Sequence, residues 1–242
     1  MKKNKIKVHD VKPIRSNRRR FLKLSGAAAL GTGLLMMGCS DDDDMPPPPD
    51  SVFDLGTGDV GVLNYAYALE QLEADFYDKV VNDSNFNATF NENERQILID
   101  LYNHEVIHRD FFNTTITAAV QNQNQVLPTL EFDYGNLDFG NREQVLTTSR
   151  DLEDTGVAAY DGAGKLISNA GYLLVAGKIV SVEARHAAAI RDLLNPGSTD
   201  FAGDDIVSPE NGLGRALDPV DIVDIAGQFI TTPFTYMEQG IG

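Results

Sequence analysis

Two short motifs constrain this chain more than anything else in it: Glu105-Val106-Ile107-His108 and Glu183-Ala184-Arg185-His186. Residues three apart share a helix face, so each motif aims a carboxylate and an imidazole in one direction. Each motif falls in an apolar stripe of helical period, at positions the pattern assigns to a core. Ionisable groups are costly there unless they are paired or bound to a metal. Beyond Gly38 the chain has three histidines and eleven glutamates in 204 residues. Chance places a glutamate three positions before any one histidine roughly 5% of the time. Two such pairs in matching register therefore point to a shared purpose.

The stripes predict four helices. The first lies between Asp59 and Asn82, with Leu63, Ala66, Glu70, Glu73, Tyr77 and Val80 on one face and Val62, Tyr65, Leu69, Leu72 and Phe76 on another. A capping box at Asn91 and Glu94 opens the second, which runs to about Val120 with Ile97, Leu101, Glu105, His108, Phe112, Thr115 and Ala119 in line. The third spans about Glu143 to Ser168 through Leu146, Ser149, Glu153, Gly156, Tyr160, Ala163 and Ile167. After a turn at Asn169-Ala170-Gly171, the fourth reaches about Leu194 through Tyr172, Ala176, Ile179, Glu183, His186, Ile190 and Leu193, and Pro196-Gly197 stops it. Helices one and two, and three and four, are joined tightly, whereas roughly Gln121 to Arg142 forms a long crossover. Two hairpins joined this way make an all-α, ferritin-like four-helix bundle over residues 55–195. Residues 196–242 are expected to pack on it, with a short helix near Pro219 to Ile230 capped by Asp218.

A dinuclear carboxylate centre needs one glutamate from each of the other two helices besides the two Glu-x-x-His pairs. At about 1.5 Å of rise per residue, Glu70 stands level with Glu105, and Glu153 with Glu183. The expected ligands are therefore Glu70, Glu105, His108, Glu153, Glu183 and His186. Glu73, His104 and Tyr160 are expected beside them. Asp151 and Asp154 read as solvated neighbours, and a satisfied polar network of the same residues is the alternative.

The N-terminal region reads as an address. Residues 1–38 carry ten Lys/Arg against Asp10, including Asn17-Arg18-Arg19-Arg20-Phe21-Leu22-Lys23, followed by a short Gly- and Ala-rich apolar run. This resembles a twin-arginine export signal, with Arg18 and Arg19 as its pair, and Met36-Met37-Gly38-Cys39 resembles a bacterial lipobox. The resemblance implies cleavage before Cys39, a lipid on its sulfur, and a membrane-anchored protein facing the periplasm or the outer surface. Residues 39–54 add Asp41 to Asp44 and a Pro-rich spacer, and the acidic run looks like an outer-face sorting tag. An uncleaved anchor helix and a plain solvated charge run are the alternatives.

Beyond Gly38 stand 10 basic and 35 acidic residues, a net charge of −25. A body this acidic is a poor nucleic-acid binder. A single cysteine excludes an intramolecular disulfide framework and Cys-rich zinc or iron-sulfur sites.

LNYAYALEQLEADFY, HEVIHRDFF, DTGVAAYDGAG and IVSVEARHAAAIR resemble the ferritin-like domain family of exported bacterial proteins that also includes plant desiccation-related proteins. That resemblance implies a four-helix bundle with two metal ions, and a role in iron oxidation, peroxide consumption or oxygen activation. The donor chemistry favours iron or manganese over zinc. No residue is assigned a catalytic role, and self-association is left open. Two other readings compete: a non-catalytic surface lipoprotein using the bundle to bind a partner, and a zinc protease. The protease reading rests on His104-Glu105-Val106-Ile107-His108 as HExxH, with Glu131 or Glu143 as a third ligand, but it gives Glu70, Glu183 and His186 no purpose.

Overall fold

The computed structural model describes residues 52–236. The expectations placed on Arg18, Arg19, Cys39 and Asp41 to Asp44 lie outside the described residues. Four long helices form the body: α1 (Gly58–Asn82), α2 (Glu92–Ala119), α3 (Arg142–Ala163) and α4 (Ala170–Leu194), followed by a short α5 (Pro219–Ala226). α1 packs mainly on α2 and α3 mainly on α4, which gives the two hairpins joined by a crossover.

Local chemistry sets the boundaries. The Asn91 side chain accepts from the Asn93 and Glu94 N–H groups while Glu94 reaches back to the Asn91 N–H, the expected capping box. α3 ends at Ala163, earlier than the expected Ser168, and tightens into a 3-10 turn through Leu166. Gly162 and Gly164 weaken the helix there. Asp59 of α1 then holds the turn by accepting from the Ser168 and Asn169 N–H groups at 2.7 and 3.0 Å. Asn169 caps α4 by accepting from the Gly171 and Tyr172 N–H groups.

α1 is buried on nearly every side, because the crossover lies along its outer face. Asn64, only 1% exposed, donates to the Leu55 and Gln125 carbonyls at 3.0 and 2.8 Å and accepts from the Leu127 N–H at 2.9 Å. Two turns on, Gln71 donates to the Pro128 carbonyl and accepts from the Leu130 N–H. These side chains satisfy the backbone of a segment that has almost no secondary structure of its own.

The C-terminal segment covers the other hairpin. The Leu217 N–H donates to the Ala158 carbonyl, and Gly162 lets the Leu217 backbone lie against α3. Beyond α5 the chain bridges to the crossover at Phe132 and Ile230 and pairs Phe234–Thr235 in parallel with Phe53–Asp54. This two-stranded ribbon was not anticipated, since strands of two residues carry no periodicity.

The stripes need four corrections. At the two ends of the α2 stripe Leu98 and Ile116 are buried, while Ile97 and Thr115 are half-buried and Ala119 exposed, because a long helix drifts relative to a fixed repeat. Ile167, Tyr172, Ala176 and Leu193 are half-buried instead of core. Asp154 is not solvated: Arg191 donates to both of its carboxylate oxygens. Asp218 occupies the N-cap position of α5 without a side-chain cap bond, its carboxylate being held by Lys165.

Candidate metal centre

At mid-bundle the six expected ligands converge in two overlapping groups. Glu70, Glu105, His108 and Glu183 form one, and Glu105, Glu153, Glu183 and His186 the other, with the donor atoms of each group within 4.8 Å of one another. Glu105 and Glu183 belong to both. All four glutamates are 0% exposed, and the two histidines are nearly so.

The geometry is reciprocal. His108 Nδ1 lies 2.8 Å from Glu183 Oε1, 3.2 Å from Glu105 Oε2 and 3.4 Å from Glu70 Oε2. His186 Nδ1 lies 2.8 Å from Glu105 Oε1, 3.3 Å from Glu183 Oε2 and 3.4 Å from Glu153 Oε2. One nitrogen with at most one proton cannot satisfy three carboxylates. Ligand atoms about 2.1 Å from a common cation, however, stand roughly 3.0 to 3.4 Å apart.

Orphaned atoms give the same fit. Among the described residues, Glu70 Oε2, Glu105 Oε1, Glu153 Oε2, both Glu183 oxygens and His186 Nδ1 are buried without a hydrogen-bond partner. Such atoms are expensive in a dry core and are natural donors to a cation.

Tyrosines hold the outer carboxylates from the opposite hairpin. Tyr160 of α3 donates to Glu70 Oε1 of α1, and Tyr77 of α1 donates to Glu153 Oε1 of α3 at 2.6 Å, with Ser149 Oγ also beside the Tyr77 hydroxyl. Each leaves one carboxylate oxygen facing inward. Tyr160 was expected near the site; Tyr77 and Ser149 were not. The signal for Tyr77 was present, since Glu70 and Tyr77 repeat the seven-residue spacing of Glu153 and Tyr160.

The two halves differ in their surroundings. His104 Nδ1 lies 2.9 Å from His186 Nε2, and the two rings are stacked. With a cation on His186 Nδ1, the ring's remaining proton would sit on Nε2 and be donated to His104, which would fix the ring's orientation. The equivalent position on α4 is Val182. Glu73 is buried but belongs to neither donor group; its carboxyl lies against Gly156, where a Cβ would come within 2.8 Å. His104 likewise belongs to neither group, and Glu131 and Glu143 are exposed and distant in the chain, so the zinc-protease set is not brought together.

Charge is balanced inside the cluster. Burial pushes Glu70 and Glu153 up to about 8, with the facing histidines opposing the rise. Burial would raise Glu105 too, but the His108 hydrogen bond and the charge of His108 and His186 hold it at about 2. Burial disfavours the charged form of His108, yet the surrounding glutamates raise it well above the usual imidazole value. Glu73 is pushed well up by burial and then by the other four glutamates. A cation at this position must displace the protons that now balance the carboxylates.

A sequence model of the ferritin-like domain matches residues 58–196. The chain belongs to the ferritin-like domain family. The matched segment begins at the first residue of α1 and ends just past α4, so it contains the whole Glu/His cluster. No curated protein matches the sequence.

Proposed function

We propose that this ferritin-like protein binds two ions of iron or manganese and acts in redox chemistry with dioxygen or peroxide, in iron handling or protection from oxidative stress. The observation that carries the reading is the pair of four-donor groups sharing Glu105 and Glu183. In this assignment Glu105 and Glu183, which belong to both groups, would serve both ions, Glu70 and Glu153 would each serve one, and His108 and His186 would supply one nitrogen apiece. Mixed carboxylate and imidazole donors suit iron and manganese. When bound, such ions supply electrons to, or accept them from, oxygen species. The chain's own part is to aim the donors: Tyr160 and Tyr77 restrain the outer carboxylates, His104 orients His186, and the apolar helix faces exclude water.

The N-terminal residues complete the proposal. Twin-arginine export carries folded proteins, so metal would be loaded before export, and a lipid on Cys39 would then hold the bundle at a membrane. Among the described residues, no helix is long and apolar enough to cross one.

Elemental analysis of the purified protein, expressed with iron or manganese available, tests the reading beside a Glu105→Ala, Glu183→Ala double variant. About two redox-active ions per chain, lost in the variant, is the expected result. One zinc that survives the loss of Glu183 would revive the protease. No metal in either protein would leave a structural or partner-binding surface lipoprotein.

A further inference from the structure

The repeat that relates the two hairpins breaks at one buried position. Glu153 and Tyr160 lie 83 residues after Glu70 and Tyr77, and the same step carries Glu73 to Gly156. Tyr77 reaches Glu153 and Tyr160 reaches Glu70, so α1 and α3 run antiparallel, with Glu73 and Gly156 midway between these two bonds. Two glutamates would collide there, and the chain keeps one. Glu73 is 3% exposed, and its Oε1 lies 2.8 Å from where a Gly156 Cβ would stand, with the rest of the carboxyl at 3.6 to 3.7 Å. Glycine inside a helix is less favourable than alanine, and at this position it makes room for a carboxyl.

Glu73 is therefore level with the gap between Glu70 and Glu153, on the α1–α3 side of the cluster, whereas both imidazoles come from α2 and α4. It belongs to neither donor group, yet besides burial the negative charges of Glu183, Glu153, Glu105 and Glu70 all act on its carboxyl. Charge then separates oxidation states. Four ionised glutamates balance two divalent ions, with the histidines binding as neutral imidazoles. A fifth carboxylate is surplus beside divalent ions and compensating beside trivalent ones. In a buried site that difference is weakly screened.

We propose that Glu73 makes the cluster prefer trivalent to divalent ions by holding a fifth negative charge beside them, seated against Gly156. No bond from Glu73 to an ion is needed, since the charge acts across the dry core. Position matters as well as charge, because a side chain at residue 156 would drive the carboxyl out of its seat. An ion that is stabilised when oxidised has a lower reduction potential, so Glu73 favours the loss of one electron per ion to the dioxygen or peroxide named above. This preference rests on the metal reading.

Equilibrium binding of manganese(II) and of gallium(III), a trivalent ion without redox chemistry, to the full chain and to its Glu73→Gln and Gly156→Ala variants tests this. Each metal is buffered with citrate and counted by elemental analysis. Glu73→Gln, which keeps the shape of the side chain, should weaken gallium at least about tenfold and manganese less than about threefold. Gly156→Ala keeps the charge and displaces it, so gallium should again weaken more than manganese. In iron-loaded protein the midpoint potential should rise in Glu73→Gln by at least about 59 mV, the one-electron equivalent of tenfold. Equal weakening of both metals in Glu73→Gln, or of neither, overturns the proposal and leaves the metal reading intact. Selectivity lost in Glu73→Gln but kept in Gly156→Ala overturns the assigned seat. A parent chain that binds neither metal overturns both readings, and its manganese count tells the two failures apart.

Discussion

The two hairpins carry the same Glu/His cluster residues in different settings. Glu70 and Tyr77 on α1 match Glu153 and Tyr160 on α3, and Glu105 and His108 on α2 match Glu183 and His186 on α4, with the N···O approaches on the two sides agreeing to within 0.1 Å. Around that repeated centre the hairpins part. α1–α2 is strapped by the crossover through Asn64 and Gln71, and large apolar residues fill its turn end. α3–α4 is covered by the C-terminal segment and keeps small residues at its turn, with Leu173 and Leu174 of α4 exposed beyond. A centre built from donors a few ångströms apart tolerates little displacement, so its register repeats. The flanks need only support that geometry, and they are where one hairpin becomes a closed base and the other an open face.

Metal content tests the repeat most severely. If Glu105 bridges, Glu105→Ala should lose both ions, whereas Glu153→Ala should lose about one and keep the ion beside His108. Elemental analysis of the two variants, each with its thermal transition, decides this. Equal losses from both would break the division into bridging and outer ligands.

The strap on the first hairpin should rank next. Asn64→Ala leaves two buried carbonyls and the Leu127 N–H without their partner, at about 1 to 3 kcal/mol for each buried group left unsatisfied. A global loss of about 3 kcal/mol in denaturant unfolding is expected, with the whole bundle affected, because the crossover and α1 bury each other. A loss below about 1 kcal/mol would mean the crossover contributes little to the base.

How much of this was legible in the sequence follows the physics of each part. The four helices and the six residues of the buried Glu/His cluster could be read because a Glu-x-x-His pair in an apolar stripe combines period, chemistry and cost in one segment. The height argument for Glu70 over Glu73 agrees with the donor groups, since rise per residue is nearly constant. Tyr77 was hidden by its ordinary appearance in a core stripe; only the repeated seven-residue spacing marks it. The straps were not legible. Asn64 and Gln71 serve backbone groups about sixty residues away, and nothing local announces such a bond. Tyr172 and Ala176 were misread as core because they have the right period, while how far each is covered is a property of four helices together.

The covering of the second hairpin should respond locally. A Cβ on Gly162 would sit 1.7 Å from the Leu217 carbonyl oxygen, a backbone atom that can move only with its segment. Gly162→Ala should cost about 2 kcal/mol through that overlap, partly offset by about 1 kcal/mol of helix propensity. Hydrogen exchange should show faster exchange at the Leu217 amide and through α5, with α1 and α2 unchanged. Uniform acceleration across both hairpins would show that the covering segment is as integral as the crossover.

The smallest effect comes from the clamp at the rim of that covering. Arg191 of α4 donates to Asp154 of α3 and, at 2.8 Å, to Asp205 of the C-terminal segment. The Arg191 hydrogen bond lowers the Asp205 pKa below its usual value. A carboxyl depressed in the folded state adds stability above its unfolded pKa of about 3.9, and that stability is lost as pH falls through the lower folded value. The Asp205 side chain is 64% exposed, so solvent screening limits the gain to a few tenths of a kcal/mol. Asp205→Asn should therefore melt slightly below the parent at pH 7 and converge with it in acid. A gap that persists below pH 3 would assign the residue's contribution to packing of the segment, and the second hairpin's cover would then be held by shape instead of charge.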